Sequence, residues 1–248
     1  MESHSRDEFN ELVTAFNAMS TTIKQRDDVI EGKSRAHEQL LKRIFPEAVA
    51  DRMRLGEASI IESLPHVTVV YAIIDGFASV AEARTGEETI KLLNEIVDRF
   101  DAVAEEQGVE KVKTIGDHYL AVSGLSVARL DHARRALDFA RLAWRELSHV
   151  NQTAGLSLGL RVGIATGSAQ AGLVGSRRFV YDIWGFATSA ARRIVYDADL
   201  NSIRLNADAL AQISDKDGIG EELVVKTRTL RGRSPLAASG RKAGRSSL

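Results

Sequence analysis

Glu110-Lys-Val-Lys-Thr-Ile-Gly-Asp-His-Tyr-Leu-Ala-Val-Ser-Gly124 is the stretch from which the rest of the chain can be read. Val112 and Ile115 lie in one apolar run, and Tyr119, Ala121 and Ser123 alternate with Leu120 and Val122 in the next. Gly116-Asp117 between them is a dipeptide suited to a tight turn, so the stretch predicts a β-hairpin. The hairpin sets Asp117 at a strand–turn edge and Lys113 on the incoming strand. Taken alone, this is a solvated turn aspartate and an edge-strand lysine, because Asp is common in turns for local reasons.

Outward from the hairpin, Val67–Ile74 is a β-branched run of strand length that ends in Asp75-Gly76-Phe77, and it reads as a buried strand. Residues 87–107 carry a helical apolar face closed by Gly108. Residues 131–150 predict a second helix with Asp131 placed to cap it. Leu156–Thr166 predicts a strand, with Ala169–Val174 folding back against it and Gly163, Gly167, Gly172 and Gly175 serving a tight hairpin. A third helix over 187–199 follows, then a strand at 202–206, a short helix at 207–213 and a last strand at 223–225. Strands and helices interleave without strict βαβ regularity. The expected fold class is therefore α+β, a mixed antiparallel sheet with packed helices, ferredoxin-like at its centre.

The N-terminal stretch has a different rhythm. Apolar residues fall at Phe9, Leu12, Phe16, Met19 and Ile23, and the same count continues through Arg26, Ile30, Lys33, His37, Leu40 and Ile44. This is the a/d spacing of a parallel coiled coil, interrupted by Arg26, Lys33 and His37 and loosened near Gly32. An amphipathic helix packed on its own domain has the same periodicity. Pro46 ends that helix at about Phe45. A short amphipathic helix and a connector to Pro65 follow.

Composition sets outer bounds. The chain has 248 residues, 44% hydrophobic and 27% charged, with a formal net charge of −1. No global positive field points to nucleic acid. The absence of cysteine excludes disulfides and thiolate zinc sites and fits an intracellular setting. No apolar run reaches the length of about 18 residues needed to span a bilayer, and no apolar leader is visible. Residues 226–248 hold seven Lys or Arg and no acid, which predicts a basic tail without fixed structure.

Three separated segments carry a family resemblance. Lys113-Thr-Ile-Gly-Asp-His-Tyr-Leu-Ala-Val-Ser-Gly-Leu125 resembles the central hairpin of the class III nucleotidyl cyclases. Phe179-Val-Tyr-Asp-Ile-Trp-Gly185 resembles their base-recognition segment, and Ala190-Ala-Arg-Arg193 their catalytic helix. Asp7–Met19 resembles the second half of a HAMP relay module, and Leu40–Met53 the transducer element that joins receptor coiled coils to cyclase domains. The implied organisation is HAMP end and coiled coil over 1–45, transducer and connector over 46–65, cyclase homology domain over 66–226 and basic tail over 227–248.

The resemblance implies cyclisation of a nucleoside triphosphate by two divalent ions, Mg²⁺ or Mn²⁺, at sites on the interface of a homodimer joined through its coiled coil and its cyclase domain. Asp117 matches the second metal aspartate. Lys113 and Asp182 match the pair that reads N1 and the exocyclic amine of adenine, which favours ATP over GTP. Arg193 matches the transition-state arginine. The other two positions depart from the family. The first metal aspartate is Ile73 here, and Asp75, two residues on, on the same strand face and about 6–7 Å displaced, is the candidate metal ligand in its place. The helix asparagine that orients the ribose is Ser189, and Phe186 and Ala187 replace polar residues. Loss of one metal carboxylate is expected to cost about 10³-fold in rate.

The expected function is thus an adenylate-cyclase-like domain of a membrane receptor, at the cytoplasmic face and tethered through a missing N-terminal part, with weak or lost turnover. The alternatives are an inactive pseudo-cyclase that regulates by dimerising, or one half of a heterodimer whose partner supplies both metal aspartates.

Overall fold

The computed structural model describes residues 2–57, 59–175, 178–213 and 224–228. The elements in chain order are α1 (Glu2–Ile44), α2 (Glu47–Arg54), β1 (Ile61–Asp75), α3 (Phe77–Glu82), α4 (Gly86–Gln107), β2 (Glu110–Ile115), β3 (His118–Ser123), α5 (His132–Ala154), β4 (Gly159–Val174), β5 (Val180–Trp184), α6 (Phe186–Tyr196), β6 (Ser202–Asn206), α7 (Ala207–Gln212) and β7 (Val224–Arg228). The chain divides into two compact units, residues 1–62 with 170–183, and residues 63–169 with 184–248.

In the larger unit the strands run in the order β2-β3-β1-β4-β6-β7. Off that path β5, most of which belongs to the smaller unit, pairs with β4. The ladders β2·β3 and β1·β3 are antiparallel, while β4·β6 and β6·β7 are parallel. The sheet is therefore mixed, as the sequence predicts. The two residues Gly116-Asp117 join β2 to β3, and Gly116 takes φ +60°, the left-handed region where glycine carries no Cβ penalty.

One face of the sheet is the main core. Val70, Ala72 and Ile74 of β1, Tyr119 and Ala121 of β3, and Leu160, Val162 and Ile164 of β4 pack with Leu92, Ile96 and Phe100 of α4 and Leu137, Phe139 and Leu147 of α5. Local sequence sets the helix ends. Thr85 and Glu88 form a reciprocal capping box at the start of α4, and Gly108 closes it in the left-handed conformation. Asp131 stands at the N-cap of α5 but makes no side-chain cap bond; its carboxylate instead accepts from Arg135 Nε at 2.7 Å, one turn on.

The expected hairpin at Ala169–Val174 is not formed. β4 is one strand of 16 residues. Its glycines serve close approach rather than a turn: a Cβ on Gly163 would lie 2.2 Å from the Ala191 carbonyl oxygen, and one on Gly167 would lie 2.6 Å from the Phe186 ring. β1 also begins earlier than expected, running through Pro65 from Ile61. In the smaller unit, α1 is a single helix of 43 residues that continues past Gly32. Among the described residues no helix is long and apolar enough to cross a membrane. Apart from Lys226–Arg228, which belong to β7, the basic tail lies outside the described residues.

A buried polar network crosses the core end of the larger unit. Thr68 Oγ1 lies 2.7 Å from His132 Nδ1 and 2.6 Å from Thr166 Oγ1. Asn206 Nδ2 donates to the Thr166 carbonyl, and its Oδ1 accepts from the Thr166 and Ala209 amides. Burial, with His66 adding to it against the opposing pull of Asp131, holds the His132 pKa below its ordinary value. A histidine with a depressed folded-state pKa gives stability that is complete above its unfolded value of about 6.5 and is lost as pH falls below it. Thermal unfolding should therefore show a lower Tm at pH 5.5 than at pH 7.5. The drop should shrink in His132→Asn, which cannot gain that proton.

Candidate functional site

The opposite face of the sheet carries the residues singled out by sequence. Alternation along β1 puts Tyr71, Ile73 and Asp75 there, away from Val70, Ala72 and Ile74. In the β1·β3 ladder Ile73 sits opposite His118 and Tyr71 opposite Leu120. Lys113 reaches this face through an irregularity. The β2·β3 register pairs Lys111 with Ala121 and Lys113 with Leu120, so a bulge at Val112 turns the two lysines to opposite faces. Lys111 accordingly meets Asp101 of α4 on the core face at 2.7 Å, while Lys113 shares the Tyr71–Ile73 face.

Six side chains gather around the hairpin turn. Arg161 of β4 donates Nε to Asp75 Oδ2 and Nη2 to Asp75 Oδ1, both at 2.6 Å. This is a bidentate pair with each side chain about three-quarters buried. The hydrogen bonds that Arg161 donates to Asp75, opposed by burial and supported by the nearness of Asp75, Tyr196 and Asp117, raise the Arg161 pKa, so the guanidinium stays charged beside the turn. His118 Nε2 lies 3.4 Å from Asp117 Oδ1, and His118 Nδ1 lies 3.0 Å from the Tyr71 hydroxyl. The His118 ring also meets Tyr71 and Tyr196 edge-on. Burial pushes the Tyr71 hydroxyl above its usual pKa, with Tyr196 and Asp117 adding to this and Arg192 opposing it.

Helix α6 lies over this face because Gly163 lets its backbone touch β4. Ala187, Ala190, Ala191, Ile194 and Val195 are its buried side. Tyr196 meets His118, whereas Ser189 and Arg193 are exposed. Asp182 belongs to the smaller unit, on β5, where its Oδ1 accepts from the Ile183 amide at 2.8 Å. The structure thus brings Asp75 and Asp117 together around Arg161, His118, Tyr71 and Tyr196, with Lys113 on the same sheet face. Arg161, His118, Tyr71 and Tyr196 are additions to the site residues named from sequence. The sequence carried no signal for Arg161, since its partner lies 86 positions away.

These residues fit a two-metal centre poorly. Ile73, where the resemblance leads one to expect a metal carboxylate, is an alkyl side chain only 4% exposed. Both oxygens of Asp75 are taken by a guanidinium, which leaves Asp117 alone, and among the described residues no group of three or more potential ligands could hold an ion.

The family model described as adenylate and guanylate cyclase catalytic domain matches residues 60–236. The chain belongs to the adenylate and guanylate cyclases. Among curated cyclases it is 31% identical over 205 residues to an adenylate cyclase of Mycobacterium tuberculosis, covering 82% of this chain and 46% of that protein. It is 32% identical over 206 residues to a receptor-type guanylate cyclase of Caenorhabditis elegans, covering 81% of this chain and 18% of that protein. The chain thus spans less than half the length of these relatives. Among solved cyclases it is similar to the guanylate cyclase domain of RhGC from Catenaria anguillulae, crystallised with GTP. That match has a TM-score of 0.60 and 28% identity, and covers 62% of this chain and 85% of that one. Both adenylate and guanylate cyclases are thus among the similar proteins, so nucleotide choice rests on the residues themselves.

Proposed function

We propose that this chain is a cyclase homology region that binds ATP in preference to GTP at a site shared with a second cyclase region, and that alone it turns nucleotide over slowly or not at all. The observation that carries this is the pairing of a buried Ile73 with an Asp75 whose carboxylate is closed by Arg161. Cyclisation joins the ribose 3′-oxygen to the α-phosphorus, breaks the bond to the β-phosphate oxygen, releases pyrophosphate and needs an acceptor for the hydroxyl proton. Mg²⁺ or Mn²⁺ would ordinarily assist both ends of that exchange, and the acidic set here supports it weakly. Arg193, exposed on α6, is suited to meet charge developing at the α-phosphate of a nucleotide held across an interface. Ser189, one turn before it, is a short substitute for a ribose-orienting amide.

Lys113 and Asp182 support the preference for adenine. An ammonium donates to N1, an acceptor in adenine, and a carboxylate accepts from the 6-amino group; guanine presents the reverse pattern at both places. The double variant Lys113→Glu/Asp182→Asn should lower affinity for a non-hydrolysable ATP analogue about thirtyfold or more and raise it for the GTP analogue, since each of the two reversed hydrogen bonds is worth about 1–3 kcal/mol. Calorimetric titration of both analogues checks this, and an unchanged ATP:GTP ratio overturns the assignment.

The same residues favour a second reading, in which the chain is one half of a heterodimer. It would offer Lys113, Asp182 and Arg193 to a partner that supplies both metal carboxylates. In either form the region would act at the cytoplasmic face of a membrane, as the resemblance of its first residues to a HAMP relay implies.

A further inference from the structure

The exposed face of α1 carries information about the partner. Met19, Ile23, Ile30, Leu40 and Ile44 are each at least half exposed and fall on one a/d stripe, too much apolar surface in line for a solvated helix. Arg26, Lys33 and His37 stand in the same stripe and are also exposed. The ion pairs Glu31–Arg35 and Glu38–Lys42 lie at the b and f positions, on the back of the helix, which marks that side as the solvated one.

Charge decides what can cover the stripe. In a parallel pair, a d-position side chain packs against the d and e positions of the opposite helix, and the e and g positions set partner choice. Asp27 stands at e beside Arg26, so a second copy could answer that arginine. Between Val29 and Leu41 the e and g positions hold Val29, Ser34, Ala36 and Leu41, none of them acidic. A second copy in register would therefore set Lys33 against Lys33 and Ser34, with His37 one turn on and no carboxylate within the interface. Buried like charges without a counter-charge cost association and act against the wrong partner.

We propose that the heptad face of α1 selects a different chain, one whose helix carries Asp or Glu opposite Lys33 and His37, over a second copy of itself. Only the expectation that this chain is also a cyclase half rests on the proposed function; the pairing itself is read without nucleotide.

The test uses the full chain and a charge-reversed copy, Arg26→Glu/Lys33→Glu/His37→Glu, as the acidic probe. With the two carrying different mass tags, sedimentation and native mass spectrometry give the Kd of like and mixed pairs. The mixed pair should form about tenfold more tightly than the wild-type pair at about 0.15 M salt, and the difference should shrink at about 1 M. A second variant, Arg26→Leu/Lys33→Leu/His37→Leu, should self-associate more tightly than wild type. Wild-type self-association as tight as the mixed pair, or as tight as the leucine variant, overturns the proposal. Loss of nucleotide binding in a separate titration would instead count against the cyclase reading and leave this result standing.

Discussion

Ile73→Asp should raise cyclase turnover of the purified chain about a hundredfold, because it returns a carboxylate to the place where a two-metal centre lacks one. Ile73 lies on the same strand face as Asp75 and opposite His118 in the ladder, so an aspartate there would stand beside the Asp117 turn. Its burial makes the prediction sharp. A carboxylate at a position only 4% exposed is costly unless a cation or a proton answers it. Without metal, the variant should melt below wild type. With Mn²⁺ or Mg²⁺ it should regain stability, and wild type should not respond in the same way. Adding Ser189→Asn should increase turnover further by orienting the ribose. A metal-dependent gain in Tm with no gain in rate would mean that the ion site is restored and something else limits chemistry. No response in either would remove Ile73 as the cause.

The largest structural effect is expected at Gly163. A Cβ there would stand 2.2 Å from the Ala191 carbonyl oxygen and 2.7 Å from the Val195 amide nitrogen, both α6 backbone atoms that no rotamer change can move aside. Gly163→Ala should cost about 3 kcal/mol, in the range of an overpacked core. For a chain of this size that lowers Tm by about 6–12 °C. Because α6 also carries Ser189 and Arg193, nucleotide binding should weaken along with stability. Gly32→Ala is the control: nothing lies within 4 Å of its added Cβ, and alanine in a helix interior should stabilise by about 1 kcal/mol. Circular dichroism melts of the two variants separate close approach from generic loss of glycine.

This contrast also shows what could be read from sequence. The β2–β3 hairpin was legible because its signals are local: alternation in the flanking runs and Gly116-Asp117 at the turn. The α4 cap at Thr85 and Glu88 and the stop at Gly108 are local in the same way. Gly163 and Gly167 were misleading because the atoms that require them belong to α6, more than eighteen positions on, so a spacing that resembled a turn was a helix-docking surface. Asp75 looked available because its partner is far away in sequence; only the fold brings Arg161 to it. Lys113 needed the bulge at Val112 to reach its face, and simple alternation would have placed it beside Lys111 on the core side. The family motifs named candidate residues, while the fold shows that one of them, Asp75, already has a partner in Arg161.

The most direct measurement is cyclic-nucleotide formation by the wild-type chain alone, from ATP and from GTP, with Mg²⁺ and then Mn²⁺, across protein concentration. A metal side reduced to Asp117, with Ile73 buried and Asp75 held by Arg161, predicts little or no product from either nucleotide, with any trace coming from ATP and Mn²⁺. Turnover near the enzyme median of about 10 s⁻¹ with Mg²⁺ would contradict it, because the Asp117 carboxylate alone would then suffice for chemistry expected to need two.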